Sequence, residues 1–289
     1  MRSPLPMNRW CGLFRLRAPA AVKVQYIDMR DRFEGDLWTV EWLFDIAAFL
    51  FRGFDFGWIM KDARAELHKE LDFELEARNG ERCQRELRPL GSVHVPAVDW
   101  SVTSKRVLTS EFVDGVKVID VAGLRRLGLH EAEVSRLMVE SLAHQIFSTG
   151  FIHADPHPGN LLVRRDERGR AQLVLLDHGL YVSMADDVRH VFCQLWRHCV
   201  LRDAQAVRHY SQLLGVDDWE LWASILFQRP FYTGEVGFGT LITAEDVELM
   251  RKASQEKMDQ ITDILKRLPR VLVLLMRNIN LSRSINAVQ

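Results

Sequence analysis

The order of patterned segments predicts an α+β chain of two lobes, a small strand-bearing lobe and a mainly helical one. Three observations carry that prediction. Strand-like runs are confined to residues 20–113 and to one short hairpin between Leu161 and Leu176. Helical patterns dominate the chain after Asp177. A turn at Asp114-Gly115 stands between the halves, where a short connector would join them. The predicted organisation is an irregular lead-in over 1–19, a partial first lobe over 20–113 and a helical second lobe over 114–289.

The elements follow in order. Ala20 to Ile27 reads as a strand with Lys23 near its middle. Residues 37–52 and 58–88 read as helices, the second highly charged with Leu67, Leu71 and Leu75 at helical spacing. Val93 to Trp100 and Arg106 to Val113 read as two further strands. Glu131 to Thr149 reads as a helix with Leu137, Ser141, His144 and Phe147 near one face, and Gly150 ends it. Leu161–Arg164 and Gln172–Leu176 form a hairpin around the turn Asp166–Arg170. The helical remainder breaks near Arg202, Gly215, Pro230–Gly239 and Pro269. There is no internal repeat and no low-complexity tract.

Bulk composition excludes several classes. The 289 residues are enough for two lobes with their own cores, and 47% hydrophobic with 27% charged residues is ordinary for a globular chain. A net charge of -1 gives no support for bulk electrostatic binding to nucleic acid or to acidic lipid. The four cysteines, Cys11, Cys83, Cys193 and Cys199, include no Cys-x-x-Cys pair, so neither a zinc ribbon nor a disulfide framework is implied. His190, Cys193, His198 and Cys199 lie close in sequence, but their spacing fits no standard metal site. The most apolar stretch, Leu37 to Ile59, is interrupted by Glu41, Asp45, Arg52 and Asp55 and reads as a buried or surface-lying amphipathic helix. Arg2, Arg9, Arg15, Arg17 and Lys23 all precede the first acid, Asp28, which is the composition of a mitochondrial presequence; Pro4, Pro6 and Pro19 interrupt any amphipathic helix there.

The chemistry-bearing residues cluster in the second lobe. His153-Ala154-Asp155-Pro156-His157-Pro158-Gly159-Asn160 places an aspartate five residues before an asparagine in a loop stiffened by two prolines. Asp177 follows 22 residues after Asp155, after a strand and before His178-Gly179. Phosphoryl transfer needs positioned phosphates, a hard-oxygen metal site and a carboxylate within reach of the acceptor. The protein-kinase signature has a catalytic Asp five before a metal-binding Asn, then a metal-binding Asp after a short hairpin. Asp155, Asn160 and Asp177 match it. His153, Asp155 and His157 also alternate as metallohydrolase ligands do, but that reading leaves Asn160 and Asp177 unexplained.

The first lobe supplies the expected remainder of a nucleotide site. Lys23, on a strand with apolar neighbours, is the candidate for contact with the α- and β-phosphates. Glu70 is the candidate helix carboxylate to pair with it. Glu66, Glu70 and Glu74 share a stripe, and periodicity does not decide among them. Glu111-Phe112-Val113 falls where a hinge would hold adenine by backbone groups of Glu111 and Val113, and Ser110 would guard the back of the pocket.

Together these residues resemble the AarF-domain-containing, UbiB-type atypical kinases. The resemblance rests on Val22-Lys23-Val24-Gln25, on Glu70-Leu71-Asp72-Phe73 with Glu76-Ala77-Arg78-Asn79, and on His153 to Asn160, and covers roughly residues 20 to 230. It implies a bilobal protein-kinase-like fold with a truncated first lobe. ATP and Mg²⁺ would be the cofactors, Asp155 the catalytic aspartate, and Asn160 and Asp177 the metal ligands. Lys23 would pair with Glu70, and Glu76 would belong to a motif reaching toward an N-terminal helical extension. It further implies a mitochondrial location and a role in lipid or quinone metabolism, with a nucleotide and a lipid or membrane surface as partners.

The sequence departs from that family in lacking its Lys-x-Gly-Gln motif and its Ala-rich loop, since only 22 residues precede Lys23. The expectation is a shortened form in which Lys23 lies on an exposed edge strand and ATP–Mg²⁺ binds weakly or not at all. Two other functions share the motifs. A small-molecule kinase of the aminoglycoside-phosphotransferase kind has the same His-x-Asp-x-His-Pro-x-Asn spelling. A catalytically impaired scaffold or lipid-binding module fits the missing phosphate loop and the apolar helix.

Overall fold

The computed structural model describes residues 19–50, 64, 69, 71–227, 264, 268–276, 278 and 279. They form two compact units. The first takes the described residues up to Ser141 together with Asp155–Tyr181. The second takes Leu142–Ala154 and the described residues from Val182 onward. The division by packing therefore falls after Ser141 and not at Asp114-Gly115. The chain returns to the first unit because the hairpin before Asp177 is hydrogen-bonded into that unit's sheet.

In the first unit, β1 (Ala20–Val24) pairs antiparallel with β3 (Val107–Glu111), setting Lys23 opposite Leu108 and Ala20 opposite Glu111. Residues opposite each other share a face, so Lys23, Leu108 and Ser110 lie on one side of this ribbon. The strand ends at Val24, short of Ile27, and α1 (Met29–Leu50) starts well before residue 37. Phe51 to Ile59, the remainder of the apolar stretch, lies outside the described residues. Among the described residues no helix is long and apolar enough to cross a membrane.

Of the described residues in the expected helix over 58–88, Arg64 and Lys69 are helical, Leu71 and Asp72 are not, and a helix starts at Phe73. Asp72 is extended, and its Oδ1 accepts from the Glu74 and Leu75 amides at 3.0 and 3.1 Å, which caps α2 (Phe73–Leu87). The buried stripe of α2 is Phe73, Glu76, Ala77, Gly80, Cys83 and Leu87. Of the Leu67, Leu71, Leu75 line, Leu67 lies outside the described residues and Leu71 sits in the turn before the cap. Phe73 and Ala77 pack on Leu108 of β3.

A four-stranded sheet runs β2–β7–β6–β4. Its centre is the hairpin β6 (Leu161–Arg165) and β7 (Ala171–Leu175), flanked by the two-residue strands β2 (Val93–His94) and β4 (Val116–Lys117). The edges are short, which limits unpaired backbone. After β4, α3 (Val121–Arg126) is capped by Asp120, whose Oδ1 accepts from the Gly123 amide at 2.9 Å. Neither β4 nor α3 has a strong sequence pattern, because each is shorter than one period-defining window.

In the second unit the segment read as the end of one long helix changes form. After α4 (Glu131–Ala143), His144–Thr149 is a π-helix, and the Gly150 amide bonds back to Gln145. Gly150 has φ +70 and ends it. β5 (Phe151–His153) follows. The helices α5 (Asp186–Leu201), α6 (Ala204–Leu213) and α7 (Trp219–Phe227) surround a core containing Phe192, Leu195, Val207, Trp222, Leu226 and Leu272.

Candidate functional site

The site residues of the first unit are assembled by two pieces of backbone geometry. The first is the hairpin. Leu161 stands opposite Leu175, and the Leu176 amide donates to the Asn160 carbonyl at 3.0 Å. Asn160 and Asp177, 17 apart in sequence, are thereby brought to adjacent positions at the open end of one hairpin. The second is the loop before it. The His157 amide bonds the Asp155 carbonyl at 2.7 Å, His157 Nδ1 accepts from the Gly159 amide at 3.0 Å, and Pro158–Asn160 closes as a 3₁₀ turn. His157 is exposed and engaged in this turn, so its ring supports the loop's shape.

Lys23 provides the link to the first strand. Its Nζ lies 2.9 and 3.0 Å from the two carboxylate oxygens of Glu76 and 3.6 Å from Asp177 Oδ2. It also stands 5.0 Å above the Phe73 ring, a cation–π contact. Burial pulls the ammonium down, but Glu76 and Asp177 outweigh it and hold Lys23 above its ordinary value. Glu76 is 2% exposed. Burial pushes its carboxyl up, against the pull of Lys23. The backbone N–H of His178 also donates to that carboxylate.

Glu70 lies outside the described residues, and the carboxylate that Lys23 meets is that of Glu76. Nor does Glu76 reach outward toward an N-terminal extension: it is buried, with both oxygens on the ammonium. The physical reason is the helix start at Asp72, which turns position 76 into the stripe with Phe73, Ala77 and Gly80. Glu111 and Val113 lie at and just beyond the end of β3. The Glu111 amide donates to Ala97 O at 2.8 Å, and its carboxylate meets His94 Nε2 at 2.9 Å and Arg164 Nη1 at 3.8 Å. Val113 is buried.

Asp177 Oδ1 accepts from the Gly179 amide at 3.0 Å, which fixes the carboxylate relative to the turn. One carboxylate and one side-chain amide oxygen are hard donors, and Mg²⁺ is commonly held by one or two such groups together with phosphate oxygens. Among the described residues no group of three or more His, Cys, Asp and Glu side chains gathers to hold a metal alone. The donor set therefore fits an ion shared with phosphates.

A strand lysine joined to a buried helix carboxylate and facing an Asp-x-Gly turn, with a five-spaced Asp/Asn loop leading into the hairpin that ends at that turn, is the arrangement of protein-kinase-like proteins. The chain belongs to the ABC1 atypical kinase-like family, whose domain matches residues 18–211. It is 39% identical over 92% of its length to the probable serine/threonine-protein kinase abkD of Dictyostelium discoideum. It is 36% identical over 92% to AarF domain-containing protein kinase 1 of Mus musculus. The chain spans 39% and 51% of those relatives' own lengths. The fold is similar to that of Rv3197 of Mycobacterium tuberculosis, solved as a complex with erythromycin. The TM-score is 0.62 at 18% identity, over 93% of this chain and 67% of that one.

Proposed function

We propose that this chain is an ATP- and Mg²⁺-dependent phosphotransferase or ATPase of the UbiB type. The observation that carries the reading is the placement of Lys23 Nζ between the carboxylates of Glu76 and Asp177. In this reading Lys23 contacts the α- and β-phosphates, and Glu76 holds its ammonium in place. Asn160 and Asp177 hold Mg²⁺, which neutralises charge on the phosphates. Asp155 accepts the proton of the attacking hydroxyl or orients water. Backbone groups of Glu111 and Val113 hold the adenine.

The test is calorimetry of ATP binding with and without Mg²⁺, on wild type and Asp177→Ala together. Binding by wild type that requires Mg²⁺ and is lost in the variant is the expected result. Equal heats for the two proteins count against the reading.

Mitochondrial placement and a role in lipid or quinone metabolism belong to the same proposal and rest on the family resemblance. Contact with a lipid surface is supported by α1, where Trp38, Trp42, Leu43 and Phe49 are exposed. Co-sedimentation with liposomes, lost on polar substitution of Leu43 and Phe49, tests it.

A further inference from the structure

One residue at the site has its hydrogen-bonding groups taken up almost entirely by one helix and its neighbours. His178 follows Asp177, and three residues of α2 at helical spacing, Glu76, Asn79 and Gly80, meet it. Its backbone N–H donates to Glu76. Its carbonyl accepts from Asn79 Nδ2 at 3.1 Å. Its ring lies against Gly80, where an added Cβ would stand 3.1 Å from Cδ2. Its Nδ1 lies 2.9 Å from the Tyr181 hydroxyl, and its Nε2 lies 3.1 Å from the Leu175 carbonyl oxygen. Tyr181 is stacked on the ring at 5.8 Å and hydrogen-bonds in turn with Cys83 of α2.

The donors can be assigned from the partners. A carbonyl only accepts, so Nε2 carries the proton. In the neutral ring Nδ1 then accepts, so the Tyr181 hydroxyl donates to it. The Tyr181 oxygen is left to accept from the Cys83 thiol. Burial holds Tyr181 well above its ordinary value and pushes Cys83 up to about 11, so both keep their protons near neutrality. Donation therefore runs in one direction, from Cys83 through Tyr181 and His178 to Leu175.

We infer that His178 is a positioning residue: through the Cys83–Tyr181–His178–Leu175 relay it latches α2 to the Asp177 turn, so that Glu76, Lys23 and Asp177 stand assembled before a nucleotide arrives. A phenyl ring in its place would fill the same space beside Gly80 but would make neither polar link. The inference rests on the nucleotide reading only for its consequence, since the relay itself is a property of the unliganded chain.

Two measurements test it. The first needs no ligand: ¹⁵N NMR of the imidazoles in the free protein, above the ordinary imidazole titration range. His178 is expected to show a protonated Nε2 and an accepting Nδ1, with Nδ1 shifted in Tyr181→Phe. A proton on Nδ1, or no change in Tyr181→Phe, overturns the relay. The second is ATP binding with and without Mg²⁺. His178→Phe and Tyr181→Phe are expected to lose about tenfold in MgATP affinity, while Mg²⁺-free ATP binding changes less than twofold, because the latch acts on Asp177. Cys83→Ser, which keeps a donor, is expected to bind better than Cys83→Ala. Unchanged MgATP affinity in both aromatic variants, with wild type binding normally, overturns the positioning role. Absence of binding by wild type would sink the nucleotide reading instead, and the NMR result then decides the relay alone.

Discussion

The Lys23 ammonium stands 2.9 Å and 3.0 Å from the two oxygens of Glu76, across 53 residues of sequence. The pair is asymmetric: the lysine side chain is 47% exposed and the glutamate side chain 3%. Removing the exposed partner leaves a buried carboxylate without its counter-charge, and that asymmetry gives the first test.

Lys23→Met is expected to be less stable than wild type at neutral pH by roughly 1–3 kcal/mol, below the figure for fully buried pairs because solvent screens the lysine. The sign of its pH dependence follows from Glu76. Its carboxyl is already raised, and loss of Lys23 raises it further. The folded state then binds that proton more tightly than the unfolded chain does. Stability is greatest below the ordinary carboxylate value and falls as pH rises through the raised one. Urea unfolding at pH 5 and pH 7.5 should show the gap to wild type narrowing at the lower pH.

Asp155→Asn and Asp177→Asn are expected to separate binding from turnover. Asp177 is the carboxylate beside Lys23, so its variant should lose both MgATP affinity and any Mg²⁺-dependent hydrolysis. Asp155 precedes Asn160 in its loop and is proposed to act on the acceptor and not on the metal, so its variant should keep affinity within a few fold and lose turnover. Parallel calorimetry and phosphate-release assays make the comparison. Retained turnover in both variants would remove the kinase-like chemistry.

The legible part of the site is the local part. Asn160 and Asp177 flank a hairpin whose register follows from its turn, so the sequence pattern carries their adjacency. The partner of Lys23 is set by tertiary packing of α2, and acids at positions 66, 70 and 74 made the helix face ambiguous. A signal was present: Asp72 before Phe73 is an N-cap, and starting the helix there puts Glu76 on the stripe with Phe73, Ala77, Gly80 and Cys83. The π-helix over His144–Thr149 had no such signal, because its hydrogen-bond pattern follows from how Gln145 is used. The relay through Tyr181 was illegible for the same reason, since Cys83 reaches it from another element.

Gln145 is expected to matter more than its neighbours in that π-helix. Its Oε1 accepts from the buried His153 amide at 2.9 Å, two residues before Asp155 in the chain. The His153 carbonyl is held in turn by Asn278 Nδ2. Gln145→Leu strands the His153 amide at a cost of about 1–3 kcal/mol. A thermal-unfolding midpoint several degrees below wild type is the expected readout, and an unchanged midpoint would show that the amide finds another acceptor.

Alkaline pH should destabilise the chain through its buried thiols. Burial pushes Cys83 up to about 11 and Cys199 up to about 12, from an ordinary value of 9.0. The unfolded chain releases these protons first. The stability they confer is complete below about pH 9 and is lost as pH rises through the folded values. At about 1.4 kcal/mol per unit, the loss is about 3 kcal/mol for Cys83 and about 4 kcal/mol for Cys199 once both have ionised. Urea midpoints should hold from pH 7 to 8.5 and then fall, with a shallower fall in Cys199→Ala. Thiol labelling of the native protein at pH 8 gives the companion readout. Of Cys83, Cys193 and Cys199, the part-exposed Cys193 should react first, because the other two are buried.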